Sequence, residues 1–369
     1  MNNKYIALVD GNNFFASCEQ MANPNLKGKP VCVLSNNDGC VIARSYEAKA
    51  LGIPMGIPYF MAKNKFKDVI YLSSNFTLYH EISTRMMQLL HNYTDTIEVY
   101  SIDEAFLDIT GMDKVLNISY KDFILKIRNE IEDKIGIVAS VGLAPSKILA
   151  KLANHKAKKG NGAYQIEKHL IENEIEYIPI DEIWGIGKNI ARTLRKYGIF
   201  YAHEIPFKED NFYKTILGKK GLELKYELMG YSVIPFFEAE KPKSIQKTRA
   251  FPEFSQNENY IKTEIGIHLQ NVCRKLRNYG LETNRIAIML RTKDFKVYFN
   301  ELKLNYSTSS EIDLIPVVEK LFNELYRKNI IYRSSGVHVY ELENKEKKQL
   351  NLFINEEKEV NSVVKYYWK

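Results

Sequence analysis

Tyr5-Ile6-Ala7-Leu8-Val9-Asp10-Gly11-Asn12-Asn13 opens the chain with an apolar run that stops at a carboxylate, and Tyr100-Ser101-Ile102-Asp103-Glu104-Ala105-Phe106 places two more at a turn. The first run reads as a buried strand with Asp10 at its carboxyl end, before the turn-prone Gly11, Asn12 and Asn13. Thr96 to Tyr100 and Ala105 to Ile109 read as paired strands around the second motif. Helical spacing over Leu78 to Tyr93 and Phe123 to Ile135, and a strand at Ile137 to Val141, complete the order βαββαβ. That order is the split βαβ, or ferredoxin-like, arrangement, whose first strand lies beside the central hairpin. Asp10 is therefore expected near Asp103 and Glu104, although a long stretch of chain separates them.

Working outward, Asn23 to Tyr71 is rich in Gly and Pro, holds the loop Ser35-Asn36-Asn37-Asp38-Gly39, and reads as a small inserted lobe. Residues 168 to 230 form a helical unit in which Trp184-Gly185-Ile186-Gly187-Lys188-Asn189 precedes an amphipathic segment, in the manner of a helix-hairpin-helix. After a charged, proline-bearing linker the βαββαβ order repeats between Gln246 and Leu342. From Lys243 to Lys345 there are 17 Lys and Arg against 12 Asp and Glu, an excess of +5 within the chain's net +7. Such a balance suits a polyanion without proving one.

A length of 369 residues implies two to four domains, and 45% hydrophobic residues can fill their cores. No apolar run reaches the roughly 20 residues a spanning helix needs, and Met1 to Tyr5 is polar, so no membrane and a cytoplasmic address are expected. Cys18, Cys32, Cys40 and Cys273 lack metal-ligand spacing and read as reduced, mostly buried thiols.

Phosphoryl transfer to a nucleotide needs divalent cations held by carboxylates, and Asp10, Asp103 and Glu104 at adjoining strand ends supply such a cage. The segments from Ala7 to Glu19 and from Tyr100 to Phe106 resemble the two signature motifs of Y-family translesion DNA polymerases. Val33 to Arg44, with Glu47-Ala48-Lys49-Ala50-Leu51-Gly52-Ile53, is similar to the UmuC-like branch, the catalytic subunit of bacterial DNA polymerase V. The resemblance spans nearly the whole chain and is weakest over 199–245.

The resemblance implies an α+β right-hand polymerase: a ferredoxin-like palm at 1–22 and 76–167, fingers at 23–75, and a helical thumb at 168–232. A linker at 233–245, a βαββαβ little finger at 246–344 and a tail at 345–369 complete it. Asp10 and Asp103 would bridge two Mg2+ ions, for which Mn2+ can substitute, with Glu104 on the primer side and the Gly11 carbonyl on the nucleotide side. Phe14, Phe15, Tyr46, Lys49 and Lys158 would hold the deoxynucleoside triphosphate, Phe15 acting as steric gate against a 2′-hydroxyl. Many relatives carry tyrosine where Phe15 stands and arginine where Lys49 stands; the second difference replaces a bidentate grip by a point charge.

Gly185, Gly187 and Lys188 would grip primer-template DNA through phosphate, a contact blind to base sequence. Gln349-Leu350-Asn351-Leu352-Phe353 looks like a sliding-clamp peptide, with Gln349 as polar anchor, Leu350 beside it, and Leu352 and Phe353 as apolar plugs. A UmuD-type accessory subunit and a recombinase filament are further implied partners, and the short tail to Lys369 leaves little room for other partner-binding segments. The expected function is error-prone translesion synthesis in DNA repair and the SOS response. A catalytically inactive DNA- or clamp-binding paralogue and a nucleotide cyclase are the competing classes.

Overall fold

β1 (Ile6–Gly11) is buried at all six positions, and its apolar side chains drive it to the middle of a sheet. Asn13, in the left-handed region at φ 53°, turns the chain into α1 (Phe14–Ala22). Asparagine's short polar side chain tolerates that backbone better than most residues. The computed structural model describes residues 4–36, 38–237 and 240–345, and the backbone of 361–366. The chain divides into two units, Met1–Ala239 and Glu240–Lys369.

In the first unit a small lobe follows α1: β2 (Val31–Leu34), β3 (Val41–Arg44), α2 (Tyr46–Ala50), α3 (Tyr59–Lys65) and β4 (Ile70–Ser73). Its sheet runs β3-β2-β4 over a separate small core that includes Cys32, Leu34, Val41, Ile53 and Ala62. The chain then returns through α4 (Phe76–Leu90), β5 (Ile97–Val99), β6 (Glu104–Asp108), α5 (Met112–Leu116) and α6 (Tyr120–Ile135). β7 (Ala139–Ala144), α7 (Lys147–Ala157) and β8 (Ala163–Gln165) finish the main sheet.

The strand order is β5-β6-β1-β7-β8, with β1 antiparallel to both β6 and β7. This is the ferredoxin-like order expected from the sequence. β7 starts two residues later than its apolar run suggests, because Gly136 at φ 85° caps α6 first. β8 is an addition, parallel to β7 at the edge.

One sheet face packs on α1, α4 and α6 through Phe14, Tyr79, Ile82, Met86, Phe123 and Ile127. The opposite face, with Leu8 and Phe106, shares its core with α7 and with a helical segment built of α8 (Ile171–Ile175), α9 (Lys188–Lys196), α10 (Asp210–Leu217) and α11 (Lys219–Leu228). The helical segment is therefore anchored to the sheet by a continuous apolar core.

The second unit comprises β9 (Ile245–Ser255), α12 (Glu258–Tyr279), β10 (Leu281–Thr292), β11 (Val297–Thr308), α13 (Glu311–Leu325), β12 (Tyr332–Asn344) and β13 (Asn361–Tyr366). The element order is the βαββαβ read from the sequence, but the sheet runs β13-β11-β10-β12-β9. The last long strand thus lies between the first and second, unlike the main sheet of the first unit. Part of its basic excess is spent internally. Arg285 bonds Glu301 at 2.6 Å and Glu341 at 2.8 Å, and Lys303 bonds Glu341 at 2.7 Å. Lys247, Arg249, Arg274 and Lys275 have no carboxylate within ion-pair range among the described residues.

Candidate active site

In register, Asp10 on β1 faces Glu104 on β6 and Ser140 on β7. The Gly11 N–H donates to the Asp103 carbonyl at 2.8 Å. Placing β1 beside β6 therefore brings all three acidic residues to one corner. Ser101 shapes the turn: its hydroxyl accepts the N–H of Asp103 at 3.3 Å and of Glu104 at 3.0 Å and donates to the Asp103 carboxylate at 2.6 Å.

Asp10 is 6% exposed. Burial, the largest influence, raises its carboxyl to about 7; Lys158 pulls it down, and the charges of Glu104 and Asp103 push it up. Negative charge here needs positive company. α7 and its C-cap supply two ammonium groups: Lys158 Nζ lies 2.6 Å from Asp10 Oδ2 and Lys151 Nζ 3.2 Å from Glu104 Oε2. Seven residues apart, they lie on one face of the helix, two turns from each other.

Two residues hold α7 in place. Asn154, 2% exposed, donates through its amide to the carbonyls of Leu8 at 3.1 Å and Ser140 at 2.8 Å. Gly142 allows the close approach, since a Cβ there would stand 2.0 Å from the Asn154 backbone nitrogen. The only sequence signal was a glycine within an apolar strand, which often marks a close backbone approach.

Among the described residues no three His, Cys, Asp or Glu side chains form a ready metal cluster; ammonium groups stand against the carboxylates instead. The donor set still suits hard divalent cations. Asp10, Asp103 and Glu104 offer oxygen ligands at adjoining strand ends. A cavity of about 340 Å³ is lined by Asp10, Glu104, Lys151, His155, Lys158 and Trp184, among others.

The other sequence candidates fall as follows. Phe14 is core, 4% exposed, and a Cβ on Gly11 would meet its ring at 2.8 Å. Phe15 is half-buried, stacked on Tyr79 at 4.5 Å and edge-on to Phe76 at 5.7 Å. On α2, capped by Ser45, Tyr46 is exposed and Lys49 Nζ lies 5.9 Å from its ring centre. Burial and the charges of Arg44 and Lys158 lower the Lys49 pKa, against a pull upward from Asp10. The small lobe thus presents a cation to the Asp10 corner. Arg44, not singled out in the sequence, donates to the Ile53 carbonyl and adds to this positive field.

In the helical segment Gly185 holds φ +92°, and Gly187 caps α9 with nothing within 4 Å of where a Cβ would sit. Lys188 is exposed at the helix start, beside a basin of about 530 Å³ lined by Lys188, Arg192, Lys196 and Arg195, the last paired with Asp181 on the same rim. The Asp10 corner and the Gly185 turn lie in the same unit; Gln349, Leu350, Leu352 and Phe353 lie outside the described residues. No helix among the described residues is long and apolar enough to cross a membrane.

Solved structures with this arrangement include a Y-family DNA polymerase chimera of Dbh and Dpo4 segments, matched with a TM-score of 0.74 and 31% identity over 92% of this chain and 99% of that one. DinB from Sulfolobus solfataricus matches with a TM-score of 0.57 and 31% identity, over 91% of this chain and 98% of that one. Fold and carboxylate corner together define a Y-family DNA polymerase.

The family model described as the impB/mucB/samB family matches residues 9–155, and that of its C-terminal domain residues 242–352. SamB of Salmonella typhimurium is 34% identical over 94% of this chain and 85% of that protein, and UmuC of strain LT2 is 33% identical over the same shares. DNA polymerase IV of Dehalococcoides mccartyi strain 195 is 31% identical over 85% of this chain and 81% of its own length. The chain belongs to the impB/mucB/samB family.

Proposed function

We propose that this protein is a DNA-directed DNA polymerase of translesion synthesis, adding deoxynucleotides to a primer 3′ end opposite damaged template within DNA repair and the SOS response. The observation that carries the reading is the Asp10–Glu104 register pair, with Asp103 adjoining it and the Asp10 carboxyl raised chiefly by burial. Nothing favours an inactive paralogue, since all three carboxylates are intact, and a cyclase would leave the DNA-binding elements unused.

Asp10, Asp103, Glu104 and the Gly11 carbonyl would hold two Mg2+ ions, Glu104 toward the primer and the Gly11 carbonyl toward the nucleotide; Mn2+ has the hardness to replace Mg2+. Bound there, such cations would supply Lewis-acid polarisation of the reacting phosphate and offset charge on the attacking and leaving oxygens. Lys158 and Lys49, which share the field around Asp10, would turn to the triphosphate, with Tyr46 alongside. Phe15, braced by Tyr79 and Phe76, would hold its ring against the sugar, and Phe14 would support the floor beneath Gly11.

The main sheet corresponds to the palm, the 23–75 lobe to fingers, the 168–232 helices to a thumb gripping DNA through Gly185, Gly187 and Lys188, and the second unit to a little finger. Gln349, Leu350, Leu352 and Phe353 would tether the chain to the sliding clamp (beta subunit), with a UmuD-type subunit and a recombinase filament as further partners in the cytoplasm. Primer extension with Mg2+ and four deoxynucleotides, on intact and abasic templates, tests the reading. Extension on both, including past the abasic site, is expected; no incorporation on either would overturn it.

A further inference from the structure

Glu104 has an aromatic neighbourhood as well as a metal-binding one. Lys151 Nζ stands 3.2 Å from Glu104 Oε2, 4.3 Å from the Tyr100 ring centre and 5.4 Å from that of Trp184. Tyr100 opens the hairpin turn bearing Asp103 and Glu104, its N–H donating to the Glu104 carbonyl at 3.0 Å. Trp184 comes from the helical segment, immediately before Gly185. Its indole N–H donates to the Tyr100 hydroxyl at 3.0 Å, and the two rings meet edge to face at 5.4 Å. Both rings also rest on buried Phe106, at 5.8 and 5.7 Å. One ammonium therefore touches a metal-binding carboxylate on one side and, on the other, an aromatic pair that leads to the phosphate-gripping turn.

Lys151 and Lys158 have different prospects when a dication approaches their carboxylates. Like charges a few ångströms apart repel strongly in a partly buried site. The Lys158 side chain is 39% exposed and has an open path away, whereas that of Lys151 is 22% exposed and lies against two aromatic rings. The nearest ground that stabilises a displaced cation is the faces of those rings, with indole the better of the two.

We propose that Lys151, Tyr100 and Trp184 couple occupancy of the Glu104 site to the Gly185–Gly187 turn. With Glu104 bare, Lys151 is drawn to the carboxylate; with a divalent cation on Glu104, it rests on the rings, stiffens Trp184 and sets the turn to receive a phosphate. These are positioning residues, since none reaches the reacting atoms. The inference rests on the polymerase reading, which makes Glu104 a ligand and the turn a DNA contact. Such coupling is reciprocal: the factor by which the cation raises DNA affinity is the factor by which DNA raises cation affinity.

The chain has two tryptophans, Trp184 and Trp368, so Trp368→Phe leaves Trp184 as the sole indole reporter in the full-length protein. Mg2+ is titrated without nucleotide at constant ionic strength, reading indole emission and, by anisotropy, primer-template affinity. Mg2+ is expected to shift the Trp184 emission and to raise DNA affinity roughly 5-fold or more. Lys151→Met should abolish both responses, bringing the ratio of affinities with and without Mg2+ to one, while Lys151→Arg retains them and Trp184→Phe lowers the ratio. A Lys151→Met protein that loses affinity equally in both conditions marks a plain phosphate contact and overturns the proposal. Emission blind to Mg2+ in a protein that extends primers overturns it too. A protein that extends no primer yet keeps the Lys151-dependent response retains the coupling and loses the polymerase reading.

Discussion

Adding one methyl group at Gly142, which shares the α7-facing side of the sheet with Asp10 and Glu104, should disable the site without touching either carboxylate. A Cβ there would lie 2.0 Å from the Asn154 nitrogen, 2.5 Å from the Ala150 carbonyl oxygen and 2.6 Å from the Asn154 Cα, all backbone atoms of α7 that no rotamer change can move. Ordinary contact begins near 3.4 Å, so α7 must recede by about 1.4 Å. That displacement carries the Asn154 amide out of bonding range of the Leu8 and Ser140 carbonyls, now 3.1 and 2.8 Å away. Overpacking of about 1–3 kcal/mol plus about 1 kcal/mol for each lost bond gives a destabilisation on the order of 3–5 kcal/mol. At roughly 2–4 °C per kcal/mol for a unit of this size, the first unit should melt about 10 °C lower. Lys151 and Lys158 move with the helix, and a shift on the order of 1 Å at reacting groups costs about 100-fold in rate. Circular dichroism melts and primer extension well below the new Tm measure both. A Gly142→Ala protein with unchanged Tm and wild-type extension would refute the reasoning that α7 is seated by this contact.

Gly187→Ala is the opposite case: the added Cβ meets nothing within 4 Å, so the Tm should hold while anisotropy shows weaker primer-template binding, because the methyl intrudes where a phosphate approaches; unchanged affinity would exclude the turn as a DNA contact. His268 is 1% exposed, its ring nitrogens have no hydrogen-bond partner among the described residues, and burial with the charges of Lys247 and Arg249 lowers its pKa to about 4. The folded state therefore binds fewer protons than the unfolded one, so stability is full above about pH 6.5 and falls as pH drops toward 4, by on the order of 3 kcal/mol. Urea midpoints should track this in the wild type and flatten in His268→Leu; parallel profiles would refute it. Phe15→Ala should raise ribonucleotide incorporation in single-nucleotide extension assays, and unchanged sugar discrimination would remove the ring from that role.

The carboxylate corner was legible because it depends on local pattern plus one topological rule. An apolar run ending at Asp10 and a turn at Asp103 suffice once the order βαββαβ puts the first strand beside the hairpin. The lysines were legible only in part. Lys158 stood out through resemblance, but its 2.6 Å contact with Asp10 depends on how α7 crosses the sheet, which Gly142 and Asn154 decide through tertiary contacts. Lys147 carries no sequence signal of its own, yet it is fully buried, paired with Glu98 and donating to the Pro235 carbonyl at 2.6 Å. In the second unit the element order was readable and the strand order was not, since pairing between distant strands leaves no local trace. Counting charges there also overstated the surface facing a polyanion, because Arg285 and Lys303 are neutralised across strands by Glu301 and Glu341.

The most direct test of the central claim is single-turnover primer extension by Asp10→Asn, which keeps the shape of the side chain and removes its charge. With DNA binding and the circular dichroism spectrum unchanged, Mg2+-dependent extension should fall by at least about 100-fold, more than the loss typical of residues that merely support a ligand. Extension within a few-fold of wild type by a folded Asp10→Asn protein would contradict the account.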